Sequence, residues 1–126
     1  MFYNVLKLKD LGKTDKSFEK EILMEHDDSC LSIVSIKKDE IIDTHTSKCN
    51  TAVIVIDGEI ELHFDAEKFK IEKGEMLMFK KEEQHKVVAQ KDSRFLLSKS
   101  KRNHCKGLNS PYFILYSKIL FLQILK

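Results

Sequence analysis

The chain has 126 residues, of which 42% are hydrophobic and 33% charged, with a formal charge of +2. That length fits one domain with its own apolar core, and the composition excludes intrinsic disorder. So small a net charge, without a clustered basic face, also argues against a nucleic-acid partner. Cys30, Cys49 and Cys105 form an odd set without C-x-x-C spacing. Neither a disulfide framework nor a zinc knuckle is expected, and a reducing cytoplasm suits the protein. The N-terminus meets Lys7, Lys9 and Asp10 before any long apolar run, so it does not read as a secretory signal.

Residues 1–29 read as an N-terminal strand or extension, with apolar runs from Phe2 to Leu8 and from Phe18 to Met24, either of which suits an edge strand. Residues 30–100 carry the clear pattern. CLSIVSI, IIDTH, TAVIVI, EIELHF, KFKIE, EMLMF, HKVVA and RFLLS are eight short β-prone runs separated by turn chemistry such as Asp57-Gly58 and Lys73-Gly74. Regular short strands of this kind predict an all-β sandwich or barrel. Alternation assigns the faces: Ile60, Leu62, Phe64, Phe69 and Ile71 should point into the core, with Glu59, Glu61 and His63 on the wet side. Thr51 to Ile56 and Met76 to Phe79 are apolar at odd and even positions alike, which predicts cover on both faces.

Residues 101–126 form a basic stretch followed, after Pro111, by an apolar tail of about 15 residues. Spanning a bilayer needs roughly 20, so membrane contact is not expected, and the tail should pack on the barrel or on a partner copy. The apolar tail and the two doubly apolar strands together predict a homodimer.

The segment from Asp39 to Ala89 resembles the cupin family, whose motifs are G-x5-H-x-H-x3,4-E-x6-G and G-x5-P-x-G-x2-H-x3-N. In the first motif the positions fall on Asp39, His45, Ser47, Thr51 and Gly58; in the second on Gly74, Lys80, Glu82, His85 and Ala89. His45, Gly58, Gly74 and His85 match the motifs, and the other six positions do not. The resemblance implies a double-stranded β-helix, a jelly-roll barrel whose motif residues hold one divalent transition metal such as zinc, iron, nickel or copper. Ser47 and Thr51 stand where it implies histidine and glutamate, and neutral hydroxyls are poor ligands for those ions.

His45, Ser47, Thr51 and His85 are therefore the candidate ligand-binding residues. The two histidines are either ordinary polar residues of a pocket or a labile metal site completed by water or by Cys49 as third ligand. His26, His63 and His104 read as surface residues, and Cys49 lacks the oriented base and oxyanion donor that a nucleophile needs. The expected function is binding of a small polar molecule in the barrel. The alternatives are a structural or interaction protein with a filled barrel, and a metal-dependent dioxygenase or isomerase; no catalytic residue is assigned.

Overall fold

The computed structural model describes residues 3–101, with Thr44 and His45 described in the backbone only. The expected apolar tail and His104 lie outside the described residues. Nine strands follow a short 3₁₀ turn at Leu8–Asp10: β1 (Phe18–His26), β2 (Ser29–Ile36), β3 (Ile41–Thr46), β4 (Asn50–Asp57), β5 (Glu59–Phe64), β6 (Lys68–Glu72), β7 (Met76–Phe79), β8 (Gln84–Ala89) and β9 (Ser93–Ser100). Eight of them coincide with the expected runs to within a residue or two, and of the two N-terminal apolar runs it is Phe18 to Met24 that forms the edge strand, β1.

The strands form two antiparallel sheets, ordered β1-β2-β9-β4-β7 and β3-β8-β5-β6. Successive strands repeatedly change sheet, as in a jelly roll. Period-two side chains fill the space between the sheets: Val53 and Val55 of β4 face Leu62 of β5 and Val87 of β8 within one core. Ile60 and Leu62 have 0% exposure and Phe95 has 2%. Each such side chain contributes roughly 1.5–3 kcal/mol by leaving water. Phe64 and Phe69 are partly buried and pack against the same cluster, as the alternation required.

The cover expected on both faces of β4 and β7 is not complete. Outward-facing Ala52, Ile54 and Ile56 are only half-buried, and Met76, the cross-strand partner of Ile54, is 54% exposed. The described residues of one chain leave this face partly open, and it is the face for which the pattern expects a second layer or a second subunit.

One end of the barrel is closed around Gly58, the single residue between β4 and β5. Its φ of 84° favours glycine, and a Cβ built there would collide with the Asp92 carbonyl and Ser93. The Ser93 hydroxyl is buried beneath it, accepting from the Glu59 amide at 2.9 Å and lying 2.7 Å from the Lys91 carbonyl. Below this end, Arg94 gathers the N-terminal segment, donating to the carbonyls of Leu8 (3.2 Å), Lys9 (3.1 Å) and Leu11.

A candidate ligand site inside the barrel

The opposite end is shaped by the β3–β4 and β7–β8 turns. The Glu82 amide donates to the Ser47 carbonyl at 2.6 Å, and the Lys81 amide donates to the Asn50 side chain at 3.0 Å. Asp39 and Glu82, which fall on two glycine positions of the motifs, both have a φ of 71°. The backbone keeps a glycine-like bend at each position although the residue has changed.

His85 sits on β8 behind these turns with 5% exposure. Its ring lies 4.6 Å from that of Phe79 and 6.0 Å from that of Phe64, centroid to centroid. Phe64 is its cross-strand partner on β5, so a sleeve of aromatic rings fixes the imidazole. Nδ1 is 2.9 Å from the Glu83 carbonyl oxygen. A carbonyl only accepts, so the proton in this contact belongs to Nδ1, and Nε2 is the atom that carries the lone pair when the ring is neutral. On the other side of β8, the register makes His45 and His85 Cα partners.

The two hydroxyls at motif positions have different surroundings. Ser47 is buried and accepts from the Cys49 amide at 3.1 Å, while Thr51 donates to the Cys49 carbonyl at 3.1 Å. Both therefore brace the turn into β4, which is local hydrogen bonding of a kind serine and threonine favour. Thr51 also pairs across the sheet with Phe79 on one side and Lys99 on the other. Cys49 is buried with 8% exposure.

A cavity of about 110 Å³ lies between the sheets, with Thr51, Val53, Leu62, Phe79 and His85 among its walls. The fold thus brings Thr51 and His85 to one space, while Ser47 and Cys49 are not among the residues lining it. Two further wall residues, Lys20 of β1 and Lys99 of β9, escaped the sequence reading. Phe95 and Leu97 precede Lys99 at alternate positions, so continuing the alternation two residues would have placed Lys99 inside. The Lys99 ammonium is held below its ordinary range, first by burial and then by the like charge of Lys20.

A larger cavity of about 620 Å³ lies outside the barrel, along Arg94 and the N-terminal segment. Its walls mix Lys13, Lys16 and Lys37 with Asp15, Asp57 and Asp92, and they include none of the motif positions. His63 forms a 2.9 Å pair with Glu61 on the outer face of β5, and His26 lies 3.3 Å from Asp27 with both side chains largely exposed. Neither histidine belongs to the interior cavity.

Among the described residues no group of three or more histidine, cysteine, aspartate or glutamate side chains could hold a metal ion. With both motif hydroxyls engaged in the β4 turn, the donor set does not fit a tight four-ligand centre. Among the described residues no helix is long and apolar enough to cross a membrane.

The Cupin domain family matches residues 32–97, more than half of the chain, and the protein belongs to the cupin family. Solved structures repeat the architecture. A conserved protein of unknown function from Streptococcus pyogenes is 21% identical with a TM-score of 0.71, over 82% of this chain and 91% of that one. A cupin superfamily protein from Desulfitobacterium hafniense is 17% identical with a TM-score of 0.74, over 81% and 94%. KdgF from a Halomonas species is 18% identical with a TM-score of 0.64, over 72% and 86%. These likenesses establish the fold. No curated protein matches the sequence.

Proposed function

We propose that this cupin binds a small polar molecule inside its barrel, acting as a carrier or sensor. The observation that carries this reading is the interior cavity in which buried His85 faces an otherwise largely apolar wall. A few polar groups set in an apolar pocket give orientation and specificity to a small ligand. Among the described residues the cavity lining has no carboxylate, which weakens the reading as an oxygen-activating enzyme, since such iron sites combine histidine with carboxylate. Screening small polar compounds by amide and methyl NMR tests the proposal. Shifts concentrated at Thr51, Val53, Leu62 and His85 are expected, and shifts confined to the outer surface would refute it.

The His45–His85 register supports a second reading, in which a divalent ion is held weakly between two imidazoles. Such an ion would leave as the imidazoles protonate below roughly pH 6. Titration of metal-free protein with zinc or nickel should give weak binding that His85→Ala abolishes. Unchanged binding by that variant would remove the reading.

A further inference from the structure

Resting on the interior as the ligand site, we propose that the ligand is a short-chain carboxylic acid whose carboxylate is met by Lys20 and Lys99 at the cavity wall. The two lysines are far apart in sequence and lie on strands that are not neighbours, β1 and β9, separated by β2. Lys20 pairs with Val34, and Val34 with Phe95, so Lys20 lies on the inner face of the five-stranded sheet. Lys99 follows Phe95 and Leu97 at inner positions of β9. Both side chains line the cavity that holds Thr51 and His85.

Lys99 is half-buried at an inner position, which costs desolvation, and the charge of Lys20, itself exposed, adds repulsion. Among the described residues neither ammonium has a carboxylate partner: Glu19 and Glu21 flank Lys20 in sequence and point to the opposite face of β1. Among the described residues the ionisable groups on the cavity wall are Lys20, Lys99 and His85, with no aspartate or glutamate to balance them. A ligand carboxylate would offset this excess of positive charge. Burial first, and then the like charge of Lys20, lower the pKa of Lys99.

Size and donor count narrow the class. A cavity of about 110 Å³ corresponds to the liquid volume of roughly three or four waters. It suits a chain of a few carbons lying against Val53, Leu62, Phe79 and Val87. Among the described residues no arginine lines the cavity, and the Thr51 proton is committed to the Cys49 carbonyl. A phosphate, with more oxygens to satisfy, would want the denser donor set of arginine forks or a backbone nest.

Titration of the full chain with sodium butanoate, butan-1-ol and inorganic phosphate, followed by amide and methyl NMR, tests the proposal. Butanoate should shift interior methyls of Val53, Leu62 and Val87 and bind about tenfold more tightly than butan-1-ol, as one charge-assisted contact warrants. Lys99→Gln should erase that preference by weakening butanoate far more than butan-1-ol, Lys99→Arg should keep it, and Lys20→Gln should reduce it partly. Equal interior binding of butanoate and butan-1-ol, indifferent to Lys99→Gln, would overturn the carboxylate assignment and leave the interior site standing. Binding of phosphate in preference to butanoate would overturn it as well. No interior shift with any probe would sink the cavity reading together with this one.

Discussion

Asp39 and Glu82 share one backbone conformation, each with φ of 71°, at opposite ends of the β-strands that carry His45 and His85. The Asp39 amide donates to the Ala89 carbonyl at 2.9 Å, and the Glu82 amide to the Ser47 carbonyl at 2.6 Å. Each left-handed residue is thus tied to a neighbouring element. A side chain in this region costs roughly 1–2 kcal/mol, less for aspartate, which tolerates it. Glu82→Gly should therefore stabilise the protein by about 1 kcal/mol, and Asp39→Gly by less, after the extra unfolded-state entropy of glycine is deducted. Urea denaturation checks the order; a loss of stability in Glu82→Gly would mean that the Glu82 side chain does more than its backbone suggests.

The same two residues show what the sequence could and could not reveal. Strands β2 to β9 were legible because alternation and turn residues are local signals, and the motif spacing between His45 and His85 was enough to anticipate that they would be brought together across β3 and β8. The roles of Ser47 and Thr51 were not legible. As missing ligands they looked merely absent, whereas their hydroxyls bond to Cys49 and brace the turn. Lys20 and Lys99 were hidden for another reason: they line one cavity from strands that are not neighbours, and nothing in either local segment announces the other.

Arg94 should act as a clasp rather than as part of the core. Its guanidinium bonds three carbonyls of the N-terminal segment and approaches Asp57 at 3.4 Å. Arg94→Ala should release residues 8–12 while costing the barrel about 1–3 kcal/mol. Limited trypsin digestion should then cut at Lys9, Lys13 and Lys16 several-fold faster, with the remaining barrel still resistant. Equal digestion rates would show that other contacts hold the segment.

The edge strand β1 carries Phe18, Ile22 and Met24 at 43%, 55% and 64% exposure. An unpaired edge with such side chains is a template for association. A homodimer is therefore expected, and Ile22→Lys with Met24→Lys should shift it toward monomer. Sedimentation that shows only the 14.7 kDa chain for the unaltered protein at micromolar concentration contradicts this.

Lys99 should leave a signature in the dependence of stability on pH. Its pKa is lower in the folded protein than in the unfolded chain, because burial and then Lys20 disfavour the ammonium. The unfolded state therefore binds the proton more tightly, and stability rises with pH through the alkaline window up to the ordinary lysine value. Lys70 works in the opposite sense, since its hydrogen bond to Glu59 raises its pKa and favours the charged form. Both the unaltered protein and Lys99→Met keep Lys70, so the difference between their denaturation curves isolates Lys99. Lys99→Met should be the more stable near neutral pH, with its advantage shrinking as pH rises; a constant difference would assign the effect to packing alone.

The geometry of the cavity can be tested by giving back the ligands that the cupin motif expects. Thr51 lines the same space as His85, so Thr51→Glu would bring a carboxylate toward that imidazole. Ser47→His supplies a further donor near the β3–β4 turn, two residues after His45. The double variant loses the two turn hydrogen bonds to Cys49, about 0.5–1.5 kcal/mol each, a cost that a chain of this size should bear. Lys99 is the cross-strand partner of Thr51 and would compete for the new carboxylate, so adding Lys99→Met should strengthen metal binding further. Zinc or nickel affinity should rise by several orders of magnitude in the double variant, and His85→Ala in that background should remove most of the gain. If titration calorimetry detects no gain while the fold is intact, the four positions do not converge on one ion, and the interior of this barrel has a different shape from the one its motif spacing implies.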